Sequence, residues 1–155
     1  MAGERLYSAV VQDSWIDALG HVNFLEYQRI ADLASDRFWT AVGGQPPSAG
    51  ALSFVFVQTH VHYLRELRLG DPVTIDVQLI GYDARRIHLY HALRRGEELV
   101  CIVQVLGLAF DLSRRRASHW PDSILEAFSA RRNGRDVERP DRLVDWGLSG
   151  GSPPE

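Results

Sequence analysis

The chain has 155 residues and a mass of 17.5 kDa, which suits one domain of ordinary size. Hydrophobic residues make up 45% and charged residues 24%, a globular balance, and no apolar run approaches the ~20 residues of a membrane span. The net charge of -3 speaks against a dedicated nucleic-acid binder. One cysteine, Cys101, excludes an internal disulfide framework, and the opening MAGERLYSAVVQDSW lacks the order of a secretory signal. A cytoplasmic setting is therefore expected. All 17 basic residues are arginine, which removes Schiff-base and lysine-base chemistry.

In chain order, Tyr7 to Gln12 reads as a first strand. A short polar stretch then delivers the chain to a helix opening at Asn23. Asn23 is a good N-cap, and Glu26 three positions later completes a capping-box pattern. Tyr27, Ile30, Ala31, Ala34, Phe38, Ala41 and Val42 recur at helical spacing until Gly43 and Gly44 end the run. The expected helix has about 20 residues and is roughly 30 Å long.

After the loop GGQPPSAGA the period changes to two. Leu52 to Leu64, Val73 to Ile80, Arg86 to Leu93 and Leu99 to Phe110 read as strands, the last two joined by a turn at Arg95-Gly96-Glu97. A short helix, Asp122 to Ala130, follows Pro121. One long helix followed by consecutive strands with short links implies an α+β fold with an antiparallel sheet. We place the folded domain at residues 1–131 and a polar tail at 132–155, with Leu143, Val144 and Trp146 as its possible docking residues.

Chemistry concentrates between the first strand and the helix. The first N–H groups of a helix lack internal acceptors, and the helix dipole makes that end partly positive. With the Asn23 side chain on the Glu26 N–H, those of Phe24 and Leu25 would stay open to a carbonyl oxygen or an oxyanion. Asp17, six residues before Asn23, can bring a carboxylate to the carbon of that carbonyl, as nucleophile or as base toward water. The alternative is that Asp17 caps a turn and Asn23 caps the helix.

DSWIDALGHVNFLEY resembles the D-x-x-G-H-x-N segment of hotdog-fold acyl-CoA thioesterases of the 4-hydroxybenzoyl-CoA thioesterase type. HVHYLRELRLGDPVTIDVQLIG, IHLYHAL and LVCIVQVLGLAFDL are similar to the sheet of that family, so the likeness runs from about Tyr7 to Phe128. The resemblance implies a long helix wrapped by a sheet of about five strands and subunits paired as a dimer or tetramer. It also implies thioester hydrolysis driven by Asp17, with the Phe24 N–H polarising the carbonyl and Asn23 and His21 fixing the geometry. A narrower likeness, in W-x-D-x-x-G-H-x-N, QTHVHYLRE and RIHLYHAL, is to the thioesterase segment of some carnitine dehydrogenases, which implies betainyl-CoA among the candidate substrates. This chain has no G-x-G-x-x-G after a strand. Coenzyme A would enter as part of the substrate, with no metal or redox cofactor. Two rival readings are a hotdog enoyl-CoA hydratase or dehydratase, using His21 with Asp17, and a non-catalytic acyl-CoA binding module.

Arg65 and Arg68 flank the RLGD turn and Arg114, Arg115 and Arg116 follow the last long strand, so these are the candidates for coenzyme A phosphates. A trimethylammonium group would want aromatic walls, for which Trp15, Tyr27, Trp39, Phe54 and Phe56 are available. His60 and His62 share a strand face but lack a third ligand of clear spacing. His88 and His91 have opposite parity and cannot share a face. Cys101 lies in an apolar strand and reads as an inert hydrophobe. No G-x-S-x-G elbow is present.

Overall fold

The computed structural model describes residues 3–47 and 51–148. Its strands are β1 (Glu4–Val10), β2 (Leu52–Tyr63), β3 (Pro72–Tyr82), β4 (Arg86–Arg95), β5 (Glu98–Asp111) and the two-residue β6 (Arg116–Ala117). The helices are α1 (Phe24–Ala41) and α2 (Asp122–Arg131). The sheet is antiparallel in the order β1-β3-β4-β5-β2, with β6 beside the end of β5. The antiparallel sheet and its one long helix form the expected hotdog arrangement of the α+β class. The first strand begins earlier than expected, at Glu4, because Glu4 and Arg5 already pair with Val77 and Asp76 of β3.

Alternation along the strands gives the sheet two chemically different faces. Ile75 and Val77 of β3, Leu89 and Leu93 of β4, and Val103 and Val105 of β5 point to the inner face and are buried. Against them lies the α1 stripe of Tyr27, Ile30, Ala31, Ala34, Ser35, Phe38 and Trp39, spaced three and four apart. Phe38 stacks on Phe128 of α2 at 6.3 Å, so the second helix seals one end of this core. A side chain at Gly107 would press to 2.8 Å from Phe54 and 2.9 Å from Ile87, so glycine is what lets Phe54 lie across the sheet.

His91 is wholly buried on the inner face, where burial pushes its pKa down to about 4. Its Nδ1 lies 2.8 Å from the Val103 carbonyl and must donate there. The neutral Nε2, 2.7 Å from the Ser35 hydroxyl, then accepts from helix α1. His88 points the other way, as parity requires, and burial lowers its pKa to about 4 as well. Its Nε2 donates to Gln104 Oε1 at 2.9 Å.

The outer face carries a small apolar cluster of Ile80, Tyr90, Ala92 and Ile102, and the segment after α2 lies on it. Leu143 packs there together with Val137, which the sequence reading did not name. Gln104 donates to the Arg142 carbonyl at 2.8 Å and accepts the Val144 N–H at 3.1 Å. Trp146 donates to Gln58 at 2.9 Å and sits edge-on to the His88 ring at 4.5 Å. Backbone groups of a polar segment are thus satisfied by glutamines that the sheet exposes on that side. The expected tail positions 149–155 lie outside the described residues.

Candidate active site

The chain from β1 to α1 is held by backbone hydrogen bonds alone at several points. The Asn23 N–H donates to the Trp15 carbonyl at 2.9 Å, and Ile16 and Val22 form an isolated antiparallel bridge. Between them Asp17 to Gly20 turns sharply, with the Gly20 N–H on the Asp17 carbonyl at 3.1 Å. Gly20 has φ +82°, a conformation that strains any residue with a Cβ. Val22 donates to the Leu67 carbonyl at 3.0 Å, which ties this turn to the segment after β2.

The turn aims one carboxylate at the start of the helix. Asp17 Oδ1 accepts the Leu19 N–H at 2.8 Å, and Asn23 Nδ2 lies 3.5 Å from Asp17 Oδ2. Each carboxylate oxygen keeps a free lone pair for a water or a carbonyl carbon. Asn23 uses its other atom as the cap, but Oδ1 accepts from Leu25 at 2.9 Å rather than from Glu26. The Glu26 N–H goes instead to the Asn23 carbonyl. The expected capping box does not close, because Glu26 pairs with Arg29 at 2.5 Å and the Asn23 N–H is already taken by Trp15. Of the two N–H groups expected to stay open, Leu25 is therefore capped. Phe24, the first helical residue, has no intrahelical acceptor for its N–H.

A cleft of about 300 Å³ opens in front of these groups, lined by Asp17, His21, Phe24, Tyr63, Arg65 and Glu66. His21 Nδ1 is 3.1 Å from the Val22 carbonyl, so it carries the proton and leaves Nε2 free. Tyr63 was missed in the sequence. Its hydroxyl donates to the Phe24 carbonyl at 3.0 Å and clamps the first turn of α1 to the end of β2. Burial raises its pKa, so it remains a donor at neutral pH. Tyr27 packs edge-on to it at 5.3 Å and accepts the Leu67 N–H. Only strand register could have revealed Tyr63.

The arginines are not gathered in one place. Arg65 lines the cleft, while Arg68 pairs with Glu66 at 2.5 Å. Arg114, Arg115 and Arg116 follow β5, whose Asp111 pairs with Leu52 at the far end of β2 from Tyr63. Arg114 reaches Asp111 at 3.8 Å and Arg115 stacks over Phe110. The aromatic set also divides. Trp15 packs under Arg29 and Tyr27 lines the cleft, while Trp39, Phe54 and Phe56 line another cavity. His60 and His62 lie side by side on β2 at 4.5 Å, and among the described residues no three potential ligands are grouped for a metal. Cys101 is buried and its thiol pKa is pushed up, which keeps it unreactive. A recess of about 580 Å³ beside β1 holds Arg5 and Arg94, but both pair with Asp76.

The thioesterase-like superfamily model matches residues 11–128, which takes in the Asp17 turn, α1 and the strands from β2 to β6. The chain belongs to that superfamily. It is similar to the betainyl-CoA thioesterase of Pseudomonas aeruginosa, at 30% identity over 129 residues and 80% of both chains. It is 29% identical over 126 residues to an L-carnitine dehydrogenase/betainyl-CoA thioesterase of Agrobacterium fabrum, of which it spans only 26%. Among solved structures, the SAV2348 protein of Staphylococcus aureus in complex with CoA superposes with a TM-score of 0.80 at 21% identity, covering 94% and 96% of the two chains. The superfamily match and the relatives named as thioesterases both support a thioester hydrolase. No described helix is long and apolar enough to cross a membrane.

Proposed function

We propose that this thioesterase hydrolyses a short acyl-CoA, with betainyl-CoA the leading candidate, at the Asp17 cleft. The observation that carries the reading is that Asn23 caps the Leu25 N–H with one side-chain atom and reaches the Asp17 carboxylate with the other, which sets that carboxylate beside the first turn of α1, where the Phe24 N–H has no intrahelical acceptor. The thioester oxygen is placed against the Phe24 N–H, where the charge that develops on attack meets the positive end of α1. Asp17 removes a proton from water as the water oxygen bonds to the carbonyl carbon. Collapse breaks the C–S bond, and the leaving thiolate takes up the proton, giving the acid and free coenzyme A. The Asp17 carboxylate can alternatively attack the carbon itself, forming an anhydride that water then opens. Neither route calls on a metal or a redox cofactor. The substrate assignment is supported by the Pseudomonas aeruginosa relative.

The active unit we propose is a pair of chains joined along β2. This strand lies at a sheet edge, has 12 residues, and holds neither lysine nor proline to discourage pairing. Phe56, Val57 and Tyr63 on it, and Leu19, Phe24 and Leu25 beside it, are large apolar residues left exposed in the single chain. Antiparallel pairing of β2 with itself sets the Leu52 end of one strand beside the Tyr63 end of the other. The second copy would then bring Arg114, Arg115 and Arg116 toward the cleft, where Arg65 already stands, as partners for coenzyme A phosphates.

Free-thiol release tests the chemistry through Phe24. Proline is tolerated at the first helical position and removes only the N–H there. Phe24→Pro should release thiol from betainyl-CoA about 100-fold or more slower than Phe24→Ala, the control for the lost ring. Equal rates in the two variants would remove the Phe24 N–H from the mechanism.

A further inference from the structure

A second cavity, of about 410 Å³, lies against the C-terminal half of α1, between the helix, the residues after it and the first half of β2. Its walls include Trp39, Phe54 and Phe56, with ring centres 5.5 Å apart for the first pair and 5.7 Å for the second. Asp32 and Asp36, one helical turn apart, complete it, and among the described residues no basic one lines it. Neither carboxylate has a salt-bridge partner among the described residues. Trp39 is fixed from behind by its indole N–H on the Gln45 carbonyl at 3.1 Å.

Two carboxylates alone would suit any cation. Aromatic walls favour a poorly hydrated, methylated one, because a ring face attracts a cation without replacing its water of hydration. We propose that this cavity is the subsite for a quaternary ammonium group on the acyl end of the substrate. The proposal rests on the thioesterase reading and deepens it, since a cationic acyl group is what a betainyl-CoA thioesterase must recognise. Desolvation raises the pKa of both carboxyls, and Asp32 raises that of Asp36 further. A bound cation would reverse that repulsion.

The cavity cannot serve the cleft of its own chain. Asp36 lies 12 residues past Phe24, about 18 Å along the helix, whereas two bonds, roughly 2.5 Å, separate a betainyl carbonyl carbon from its nitrogen. It must serve the second copy, whose Tyr63 end the proposed β2 pairing sets beside Phe54 and Phe56. Each composite site would then take its carbonyl-polarising N–H from one chain and its cation cavity from the other.

The test compares betainyl-CoA with 3,3-dimethylbutanoyl-CoA, which has the same shape with carbon in place of the charged nitrogen. The ratio of kcat/KM for the two substrates is measured in the parent and in the double variant Asp32→Asn, Asp36→Asn. Both changes fall at exposed positions, and a thermal melt checks the fold. The parent should prefer the cation, and the variant should lose roughly tenfold of that preference. A preference that survives in the variant, or a loss shared equally by both substrates, would overturn the assignment. Turnover of neither substrate by the parent would count against the hydrolysis reading instead. Calorimetric titration with tetramethylammonium chloride then decides the cavity on its own: binding by the parent that weakens about tenfold in the variant supports it, and equal or absent binding refutes it.

Discussion

The two halves of α1 face opposite problems. On the proposed mechanism its N-terminal end would meet an oxygen that becomes negative, with the Phe24 N–H, the helix dipole and the Asp17 carboxylate beside Asn23 to receive it. Its C-terminal half lines an acidic aromatic cavity suited to positive charge. The first is assembled within eight residues, Asp17 to Phe24, from a turn and a cap. The second needs β2 and the residues after the helix to fold over it. The two ends of one helix thus suit opposite charges, which on the proposed pairing would belong to two different composite sites, and local chemistry builds one end while tertiary packing builds the other.

The largest effect is expected near the C-terminal end of the helix. Phe38→Ala removes a fully buried ring stacked on Phe128 and should cost about 3–5 kcal/mol in denaturant unfolding. Because Phe38 sits beside Trp39, the aromatic cavity should loosen before the cleft, so cation preference should fail before turnover of a neutral thioester. Equal loss of both would show that the halves of α1 are not separable.

A change of pH tests the midpoint, where His91 accepts from Ser35. In the folded chain His91 and His88 titrate at about 4, against an ordinary value of 6.5. Between those values the unfolded chain binds more protons, so stability is complete above pH 6.5 and falls as the pH drops toward 4. The loss should reach roughly 3 kcal/mol for His91 alone. Denaturant midpoints across this window check it, and His91→Gln should flatten part of the slope. A flat profile in the parent would mean that neither ring is held neutral.

A smaller effect sharpens the catalytic end. Gly20→Ala places a Cβ at φ +82° and should cost about 1–2 kcal/mol, with nothing in contact to clash. If Asp17 is aimed by this turn, kcat for thiol release should fall at a temperature where the melting profile shows the variant still fully folded, beyond what that loss of stability explains. A wild-type kcat would separate the turn from the aim of the carboxylate.

This division also explains what could be read from the amino acids. The turn and cap that bring Asp17, His21, Asn23 and Phe24 close together were legible because caps and turns are written in adjacent residues, whereas the roles proposed for them came from the family resemblance. The strands were legible from their alternation, and so was the opposition of His88 and His91. The capping box misled because Arg29, three positions after Glu26, competes for its carboxylate. Tyr63 and the Asp32–Asp36 cavity were hidden, since each depends on which part of β2 lies beside α1. The bulge between Phe56 and Gln58 shifts that register, and alternation alone does not locate it. Val137 was hidden for the same reason: its place on the outer face is set by Gln78 holding the Asp136 carbonyl at 2.8 Å.

The most direct test of the account is free-thiol release from betainyl-CoA by the parent and by Asp17→Asn. The amide keeps an acceptor oxygen for the Leu19 N–H and loses the negative charge, so the fold should survive. The parent should release thiol, and kcat should fall about 100-fold or more in the variant, with the melting profile retained. A folded Asp17→Asn protein that releases thiol at the parent rate would contradict it.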